Sequence, residues 1–276
     1  MNVWIGTAGY SYPHWVGRFY PPRTPARRLL THYARHFPLV ELNFTFYRTP
    51  TAESLVRLAD RTPAGFQFAV KLPKSLTHDR RPEELGQFRE AVAALHAQGR
   101  LAGTVAQFPQ AAHNTPAARR WLVYLGRELA GLRLAVEFRH VSWSDMRVPA
   151  WREGHGVGLI AVDVPELPLL YPCGLVCSGR RIHVRFHSRN PAAWYGSDVE
   201  RHDYDYSDAE CREWAAALRN GAGAADEAVL VFCNCVGTQG LDSARRMAAA
   251  VAECGPELAV VEPFAAAVPQ QRSLFE

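Results

Sequence analysis

Short apolar segments alternate with helical patterns along this chain, and their number constrains the fold more than any other feature. The eight candidate strands span residues 3–8, 39–47, 66–72, 103–108, 134–139, 158–164, 182–188 and 229–235. The helical patterns span residues 25–36, 51–61, 81–98, 115–129, 207–218 and 241–254. Strands that alternate with helices favour parallel β–α–β units, and eight such units close into a barrel. The sequence therefore predicts a single-domain α/β protein, a TIM-type (β/α)8 barrel over residues 1–268, followed by a tail at 269–276.

Composition supports a globular protein and argues against a membrane protein. Hydrophobic residues make up 48% of the chain and charged residues 21%, so a mainly disordered chain is excluded. No apolar run approaches the ~20 residues of a membrane helix. The N-terminus also lacks the basic and apolar regions of a signal peptide. We therefore expect a cytoplasmic protein with no membrane partner.

The basic residues are unusual in kind. Of 31 basic side chains, only Lys71 and Lys74 are lysines, and the net charge is +4. A genome rich in G and C accounts for the arginine bias without any functional reason. Because Arg and Lys are not interchangeable at a specific site, the retained lysine at position 71 points to a function for its ammonium group.

The six cysteines raise the question of a cofactor. Cys173 and Cys177 form one close pair and Cys233 and Cys235 another, and four such thiols would bind zinc or an iron–sulfur cluster if the fold joined them. Their spacings match no common metal motif, so we predict free thiols, with Cys233 and Cys235 facing the helices. No cofactor is predicted, and the alternative is an enzyme that uses a divalent metal.

Side-chain alternation along the strands predicts a polar barrel interior. In each strand one side is apolar and packs on the outer helices, which leaves the other side for the lumen. The predicted lumen residues are Glu41, Asn43, Lys71, Gln107, Glu137, Arg139, Asp163, Arg185, His187 and Asn234. Several of them end their strands, where barrel active sites lie. The alternative is a buried salt-bridge network with a purely structural function, but this is a costly way to stabilise a barrel.

Aromatic residues follow several strands. Tyr10, Tyr12 and Trp15 follow the first strand, Tyr47 ends the second, Trp143 follows the fifth, and Trp194 and Tyr195 follow the seventh. Such rings would either stack on bases and sugar faces or pack the loops against the barrel rim.

The segments GTAGYSYPHW, VELNFTFYRTP, FAVKLPKSLTH, VEFRHVSW and VRFHSRN…WY resemble the YecE-like family, domain of unknown function 72, over essentially the whole chain. The resemblance implies a TIM-type barrel but no settled activity. Family-typical positions map onto Gly6, Tyr10, Trp15, Glu41, Asn43, Thr45, Tyr47, Lys71, His78, Gln107, Glu137, Arg139, Trp143, Arg185, His187 and Asn234. Ser188 and Cys233 depart from the residues usual in the family.

The tail carries a possible partner motif. Gln271, Ser273, Leu274 and Phe275 match the bacterial sliding-clamp-binding pentapeptide, Gln-x-Ser/Asp-Leu-Phe. The two apolar side chains would fill a pocket on the DNA polymerase sliding clamp. Alternatively, they would tuck back onto the barrel.

These features favour an enzyme acting on DNA or another phosphate-bearing substrate, of the hydrolase, nuclease or repair type. Lys71, Arg139 and Arg185 would bind phosphate. The catalytic candidates are Glu41, Lys71, Glu137, Asp163 and His187, and the substrate-binding candidates are Tyr10, Trp15, Asn43, Tyr47, His78, Gln107, Arg139, Trp143, Arg185 and Asn234.

Three alternatives stay open. In a metal-dependent version of the same enzyme, Glu137, Asp163 and His187 would ligate the ion. A sugar hydrolase or isomerase would use two carboxylates flanked by aromatic rings. A non-catalytic binding module tethered to the clamp would need no chemistry.

Overall fold

The computed structural model describes residues 1–145, 152 and 154–264. Its strands are β1 (Asn2–Ala8), β2 (Leu39–Leu42), β3 (Gln67–Lys71), β4 (Leu101–Gln107), β5 (Leu134–Glu137), β6 (Gly158–Leu159), β7 (Ala161–Asp163), β8 (Cys177–Ser178), β9 (Arg181–Phe186), β10 (Glu227–Phe232) and β11 (Ala259–Val260). Its helices are α1 (Ala26–Tyr33), α2 (Ala52–Ala59), α3 (Lys74–Thr77), α4 (Leu85–Ala97), α5 (Pro116–Glu128), α6 (Asp198–His202), α7 (Asp208–Gly221) and α8 (Gln239–Cys254). The predicted α/β class is confirmed.

Side-chain caps explain where two of the longer helices begin. Ser207 accepts a hydrogen bond from the backbone N–H of Glu210, whose carboxylate accepts one from the Ser207 N–H, so α7 opens with a capping box. Thr115 caps α5 in the same way through the N–H of Ala118, with Pro116 in the first turn. None of the helices in the described part of the chain is long and apolar enough to cross a membrane.

The parallel strands pair in the order β6-β5-β4-β3-β2-β1-β10-β9-β7. The first and last members of this order come from one segment, which is interrupted at Ile160. Its first part, β6, pairs with β5, and its second part, β7, pairs with β9. One segment therefore joins both ends of the ladder and closes the sheet into a TIM-type barrel, as the eight apolar segments predict. The short strands β8 and β11 add to β9 and β1 outside this order.

Two apolar layers stabilise the barrel. A large outer layer lies between strands and helices and includes Phe68, Val136, Val184 and Phe186, as the alternation predicts. A smaller cluster fills the lumen with Leu39, Ala69, Val105, Ile160, Val229 and Val231. Branched lumen residues of this kind close the interior below the polar residues, so the barrel has a floor rather than a pore.

A glycine permits the close contact between β1 and β2. A Cβ atom on Gly6 would lie 2.1 Å from the carbonyl oxygen of Leu39, well inside van der Waals contact. A larger residue at this position would push the two strands apart. The ladder that positions Glu41 therefore depends on this glycine.

Most of the predicted strands end earlier than the apolar pattern predicts, and the difference is largest for β2 and β10. β2 stops at Leu42, and a short 3-10 turn over Phe44–Phe46 follows it. The Thr45 hydroxyl lies 2.8 Å from the Leu42 carbonyl and 2.6 Å from the Lys71 carbonyl, so it links this turn to the end of β3. β10 stops at Phe232. Strand alternation therefore does not apply to Asn43 or Tyr47.

Candidate functional site

A cleft of about 670 Å³ opens at the C-terminal end of the barrel, where the strands β2 to β5, β9 and β10 deliver their last side chains. Eight predicted site residues line it: Asn43, Tyr47, Lys71, His78, Gln107, Arg139, Arg185 and His187. Barrel active sites lie at this end because loops after the strands carry the functional groups. The cleft is therefore the candidate site.

The centre of the cleft floor is the guanidinium of Arg185. One of its nitrogens donates to Glu41 Oε1 at 2.8 Å, and another donates to Glu137 Oε2. Both carboxylates are completely buried. Arg185 therefore bridges β2 and β5 across the lumen from β9, and the two carboxylates hold it in place.

Glu137 has two further basic neighbours. Its Oε1 lies 2.5 Å from Arg139 Nε and 3.3 Å from His187 Nε2. Burial alone would raise the pKa of Glu137, but Arg139 and Arg185 lower it well below its usual value, so the group stays ionised. Burial and the Arg139 charge lower the pKa of His187 well below its usual value, so that ring stays neutral.

Lys71 differs from the two arginines beside it. No carboxylate among the described residues lies within salt-bridge distance of its ammonium group, which instead lies 4.4 Å from the centroid of the Phe46 ring. Burial and the nearby Arg185 charge lower the pKa of Lys71 to about 8, although Glu41 and Glu137 oppose the shift. A lysine in this state exchanges its proton close to neutral pH.

His78 is the second proton-transfer candidate on this wall of the cleft. The Thr77 hydroxyl lies 3.3 Å from the Pro73 carbonyl and 2.9 Å from His78 Nδ1. If the hydroxyl hydrogen goes to the carbonyl, the hydroxyl accepts from Nδ1–H and Nε2 is left with its lone pair. Burial and the Lys71 charge lower the pKa of His78, which favours the neutral ring.

Aromatic rings form the rim. Tyr47 is 85% exposed, and Tyr195 is 61% exposed, so both offer a free face to a ligand. Trp194 is buried between two cations, with Arg139 and Arg201 lying 5.3 and 5.6 Å from its ring. The rim therefore combines rings for stacking with guanidinium groups.

Asp163, a predicted catalytic residue, does not belong to this site. Residues in register on neighbouring parallel strands share a face, and Asp163 is in register with Phe186, which packs in the outer layer. Arg189 Nη2 donates to Asp163 at 2.7 Å, and the Trp214 indole donates to it as well. The predicted alternation fails here because Ile160 and Val162, not Asp163, are the residues that face inward.

Four predicted ligand-binding residues also lie away from the cleft. Asn234 follows β10 and donates to the Tyr204 carbonyl and the Ser243 hydroxyl, on the side of α8. Trp15 is completely buried among Tyr12, Phe19 and Tyr20.

Trp143 stacks on Phe138 at 4.2 Å and donates to the Ala112 carbonyl. Tyr10 packs on Tyr33 beside α1. These rings pack the loops against the barrel rim, which was the alternative to ligand stacking. The tail residues Gln271, Ser273, Leu274 and Phe275 lie outside the described residues.

The cysteine pairs lie apart. Cys233 and Cys235 both line the cleft, contrary to the prediction that they face the helices, because Val229 and Val231 of β10 face the lumen and Cys233 follows on the same side. Cys173 contacts the backbone of Val164, and Cys177 contacts that of Gly179. The described residues contain no group of three or more His, Cys, Asp or Glu side chains that could hold a metal ion.

Four polar cleft residues have no counterpart among the predicted site residues. They are His14, Gln110, Arg201 and His202. All four lie in segments that follow barrel strands, and that position is the signal that would have found them.

Comparisons with known proteins give one family. The sequence profile described as "Protein of unknown function DUF72" matches residues 4–268. The UPF0759 protein YunF of Bacillus subtilis is 26% identical over 99% of this chain and 100% of its own length. The UPF0759 protein YecE of Escherichia coli K12 is 35% identical, but over 28% of this chain and 25% of its own length.

Two solved structures share the fold. A DUF72 family protein of Thermotoga maritima superposes with a TM-score of 0.81 and is 31% identical, covering 90% of this chain and 98% of its own. A DUF72 family protein of Enterococcus faecalis superposes with a TM-score of 0.81 at 23% identity, covering 91% of this chain and 95% of its own.

Proposed function

Since this chain belongs to the DUF72 family, whose name assigns no reaction, we propose from the cleft itself that the protein is an enzyme acting on a phosphate-bearing, nucleotide-like substrate. The substrate's phosphate would lie on the basic floor and its base or sugar ring on the aromatic rim.

The observation that carries this proposal is the charge of the cleft wall. Lys71, Arg139, Arg185 and Arg201 line the cleft, whereas no carboxylate of the described residues does. The two carboxylates of the floor lie beneath the arginines and are completely buried. Incoming ligand thus meets cationic groups in a partly desolvated site, and such a site favours an anion with several acceptor oxygens.

The rim favours a nucleotide over a simple phosphate. Tyr47 and Tyr195 are exposed and both line the cleft, and a base stacked on such a ring gains about 1–3 kcal/mol. Stacking is tolerant of base identity, so we expect weak sequence preference. DNA and a free nucleotide both satisfy these requirements.

In the hydrolysis of a phosphate ester, the residues of the cleft would have different functions. His78 Nε2 would take the proton of the attacking water, since the ring is neutral and half-buried at the cleft. Lys71 would stabilise charge on the phosphate oxygens and supply a proton to the leaving oxygen. Glu137 and Glu41 would act as positioning residues that orient Arg185 and Arg139.

Calorimetric titration with adenosine monophosphate and with inorganic phosphate tests the proposal. We expect both to bind, with affinity falling as salt concentration rises, and the nucleotide to bind more tightly. Arg139→Met should weaken both at least tenfold, whereas Asp163→Asn, on the helix side of its strand, should bind like the unchanged protein. Equal binding by both variants, or no binding of either ligand, contradicts the proposal.

We also propose that the tail recruits the barrel to the DNA polymerase sliding clamp. The support is the QRSLF motif beyond the barrel, at Gln271–Phe275 in the sequence. Micromolar affinity is expected of so short a peptide, which loses conformational freedom on binding. Deleting residues 270–276 should abolish binding to purified clamp and leave the melting temperature unchanged. A large fall in melting temperature would mean instead that the tail plugs the barrel.

A further inference from the structure

Lys71 is set up for chemistry that no arginine can perform. We propose that its amine is a covalent nucleophile that forms a Schiff base with the open-chain carbonyl of a phosphate-bearing sugar. This inference rests on the proposed function, because the same cationic cleft would hold the phosphate, but it names the substrate's reactive group.

The first support is the contrast between Lys71 and its neighbours in their ion pairing. Arg185 donates to Glu41 and Glu137, and Arg139 lies against Glu137. In the described part of the chain, Lys71 has no carboxylate partner, and its ammonium lies 4.4 Å from the centroid of the Phe46 ring. An ammonium placed only to balance charge would lie on one of the two carboxylates, whereas this amine faces the cavity.

The second support is the cost of keeping an ammonium there. Lys71 lies at the end of β3, partly buried, with Arg139 and Arg185 adding like charge. A nearby cation and low solvation are the two conditions that turn a lysine into a nucleophile. With a pKa of about 8, roughly a tenth of the side chains are neutral at pH 7.

The third support is the residue type itself. The chain carries 31 basic side chains, and all but Lys71 and Lys74 are arginine. Lys74 is exposed on α3. Arginine binds phosphate at least as well as lysine, so phosphate binding alone gives no reason for a lysine at position 71. Condensation with a carbonyl does, since it requires a primary amine.

The reaction balances with groups already present. The lone pair of the neutral Nζ attacks the carbonyl carbon, a C–N bond forms, and the carbonyl π electrons move to oxygen, which takes up a proton. Nζ then loses one of its two protons and so regains a lone pair. Protonation of that hydroxyl lets the C–O bond break and water leave, while the nitrogen lone pair forms the C=N bond. The product is a protonated imine and one water.

His78 is the group that would move these protons. Its ring and the Lys71 ammonium contact the same aromatic side chain, with the His78 ring 5.1 Å from that of Phe46. The two groups are also close enough that the Lys71 charge lowers the pKa of His78. His78 thus lies on the same wall as the carbinolamine it would help to dehydrate.

Borohydride trapping tests the proposal directly. The protein is incubated with 2-deoxyribose 5-phosphate, or with a DNA duplex holding one abasic site, and sodium borohydride then reduces any imine to a stable secondary amine. Intact mass and peptide mapping locate the adduct. We expect one adduct per chain, on Lys71. Comparing the adduct formed with 2-deoxyribose 5-phosphate and with the abasic DNA shows whether the cleft accepts the free sugar phosphate or the sugar within DNA.

The two lysines supply matched variants. Lys71→Arg keeps the charge and should lower the adduct at least tenfold, whereas Lys74→Arg should trap like the unchanged protein. Mapping on the unchanged protein does not depend on the folding of either variant. Adduct mapped to the Met1 amine, equal adduct in Lys71→Arg, or no adduct with either probe overturns the proposal.

Failure of this inference is distinguishable from failure of the proposed function. If nucleotide and phosphate bind but nothing is trapped, the phosphate site stands and the Schiff base is wrong. If unphosphorylated 2-deoxyribose is trapped on Lys71 as well as its phosphate is, the nucleophile stands and phosphate recognition by the cleft is wrong.

Discussion

Two buried networks of carboxylates and arginines lie on opposite sides of the barrel sheet, one facing the lumen and one facing the helices. The floor network consists of Glu41, Glu137, Arg139 and Arg185, beneath the cleft. The helix-side network consists of Asp163, Arg189 and Trp214, between β7 and α7. Each has completely buried acids, yet the two networks differ in how their polar atoms are satisfied.

The helix-side network is saturated. Asp163 Oδ2 receives hydrogen bonds from Arg189 at 2.7 Å and from the Trp214 indole, and Oδ1 receives one from Arg189 at 2.9 Å. Arg189 then extends to Glu213 at 2.7 Å on the exposed surface of α7. Every part of this network acts to join β7, the segment after β9, and α7.

The floor network is not saturated. Among the described residues, Glu41 Oε2, Arg185 Nε and the neighbouring Asn43 Oδ1 are buried without a hydrogen-bond partner. Lys71 lies beside them with no carboxylate of its own. Buried polar atoms without partners cost stability, and a stability-driven design would not keep them. The Asp163 carboxylate thus needs no further partner, whereas the substrate proposed above would supply partners to the floor network.

The largest expected effect is on the floor network. Arg185→Met removes the cation between two buried carboxylates, so we expect the free energy of unfolding to fall by about 3–5 kcal/mol. Urea denaturation at pH 7 measures it. Adding Glu137→Gln to the same chain should recover part of the loss, and no recovery would mean that Arg185 stabilises the fold by packing alone.

The next effect concerns Lys71 and has a defined sign. The ordinary pKa of 10.5 applies to the unfolded chain, and burial beside Arg185 lowers it to about 8 in the fold. Below pH 8 Lys71 is protonated in both the folded and the unfolded state, and the folded state is destabilised by the full free energy of burying the charged ammonium. Between pH 8 and 10.5 Lys71 has lost its proton in the folded state but still holds it in the unfolded chain. The free energy of unfolding therefore rises with pH, by up to about 3 kcal/mol.

Lys71→Met removes the contribution of the Lys71 ammonium to the pH dependence of the free energy of unfolding. The difference in unfolding free energy between Lys71→Met and the unchanged protein should therefore shrink from pH 8 to pH 10.5, with the variant the more stable at pH 7. Tyrosine and cysteine ionisations occur in both proteins and cancel in the difference. Lys74→Met should show no such trend. A flat difference for Lys71→Met contradicts an unpaired buried ammonium.

The helix-side network should respond more mildly. Asp163→Asn keeps the shape but weakens the bonds from Arg189 and Trp214, so we expect a loss of about 1–3 kcal/mol. The loss stays below that of Arg185→Met because Arg189 is 26% exposed and keeps Glu213. Ligand affinity should not change. A weaker affinity in this variant would show that the two networks are coupled.

The smallest effect on stability is expected at the rim. Tyr47→Ala removes an exposed side chain and should change the free energy of unfolding by less than about 0.5 kcal/mol. Its effect on binding is larger, since loss of base stacking should weaken adenosine monophosphate about five- to a hundredfold. Inorganic phosphate, which has no ring, should bind unchanged, and parallel losses for both ligands would rule out stacking.

The comparison also bears on the sugar-enzyme alternative. A glycosidase needs two carboxylates exposed to the sugar on either side of the bond. Here Glu41 and Glu137 lie beneath Arg185, which occupies both of them. Such acids are suited to holding an arginine rather than to attacking a substrate, so this cleft favours the anionic substrate proposed above.

Much of this molecule is determined by local sequence. The barrel follows from eight apolar segments, because burying a strand on its helix-facing side requires the alternation that the sequence shows. Helix α7 begins where the Ser207 and Glu210 spacing places a capping box, since that bond pattern involves four consecutive residues. Glu41, Lys71, Glu137 and Arg185 meet at one end because parallel strands bring equivalent ends together.

Tertiary structure alone decided the rest. The sequence cannot show that Ile160 and Val162 face the lumen rather than the helices, an orientation that turns Asp163 toward Trp214. Nor can it show that Val229 and Val231 face the lumen, an orientation that places Cys233 on the cleft side and Asn234 toward the helices. Which side of a segment faces the lumen depends on the neighbouring strands and on barrel closure. Both are set by contacts between residues far apart in the chain, so alternation within a single segment carries no record of them.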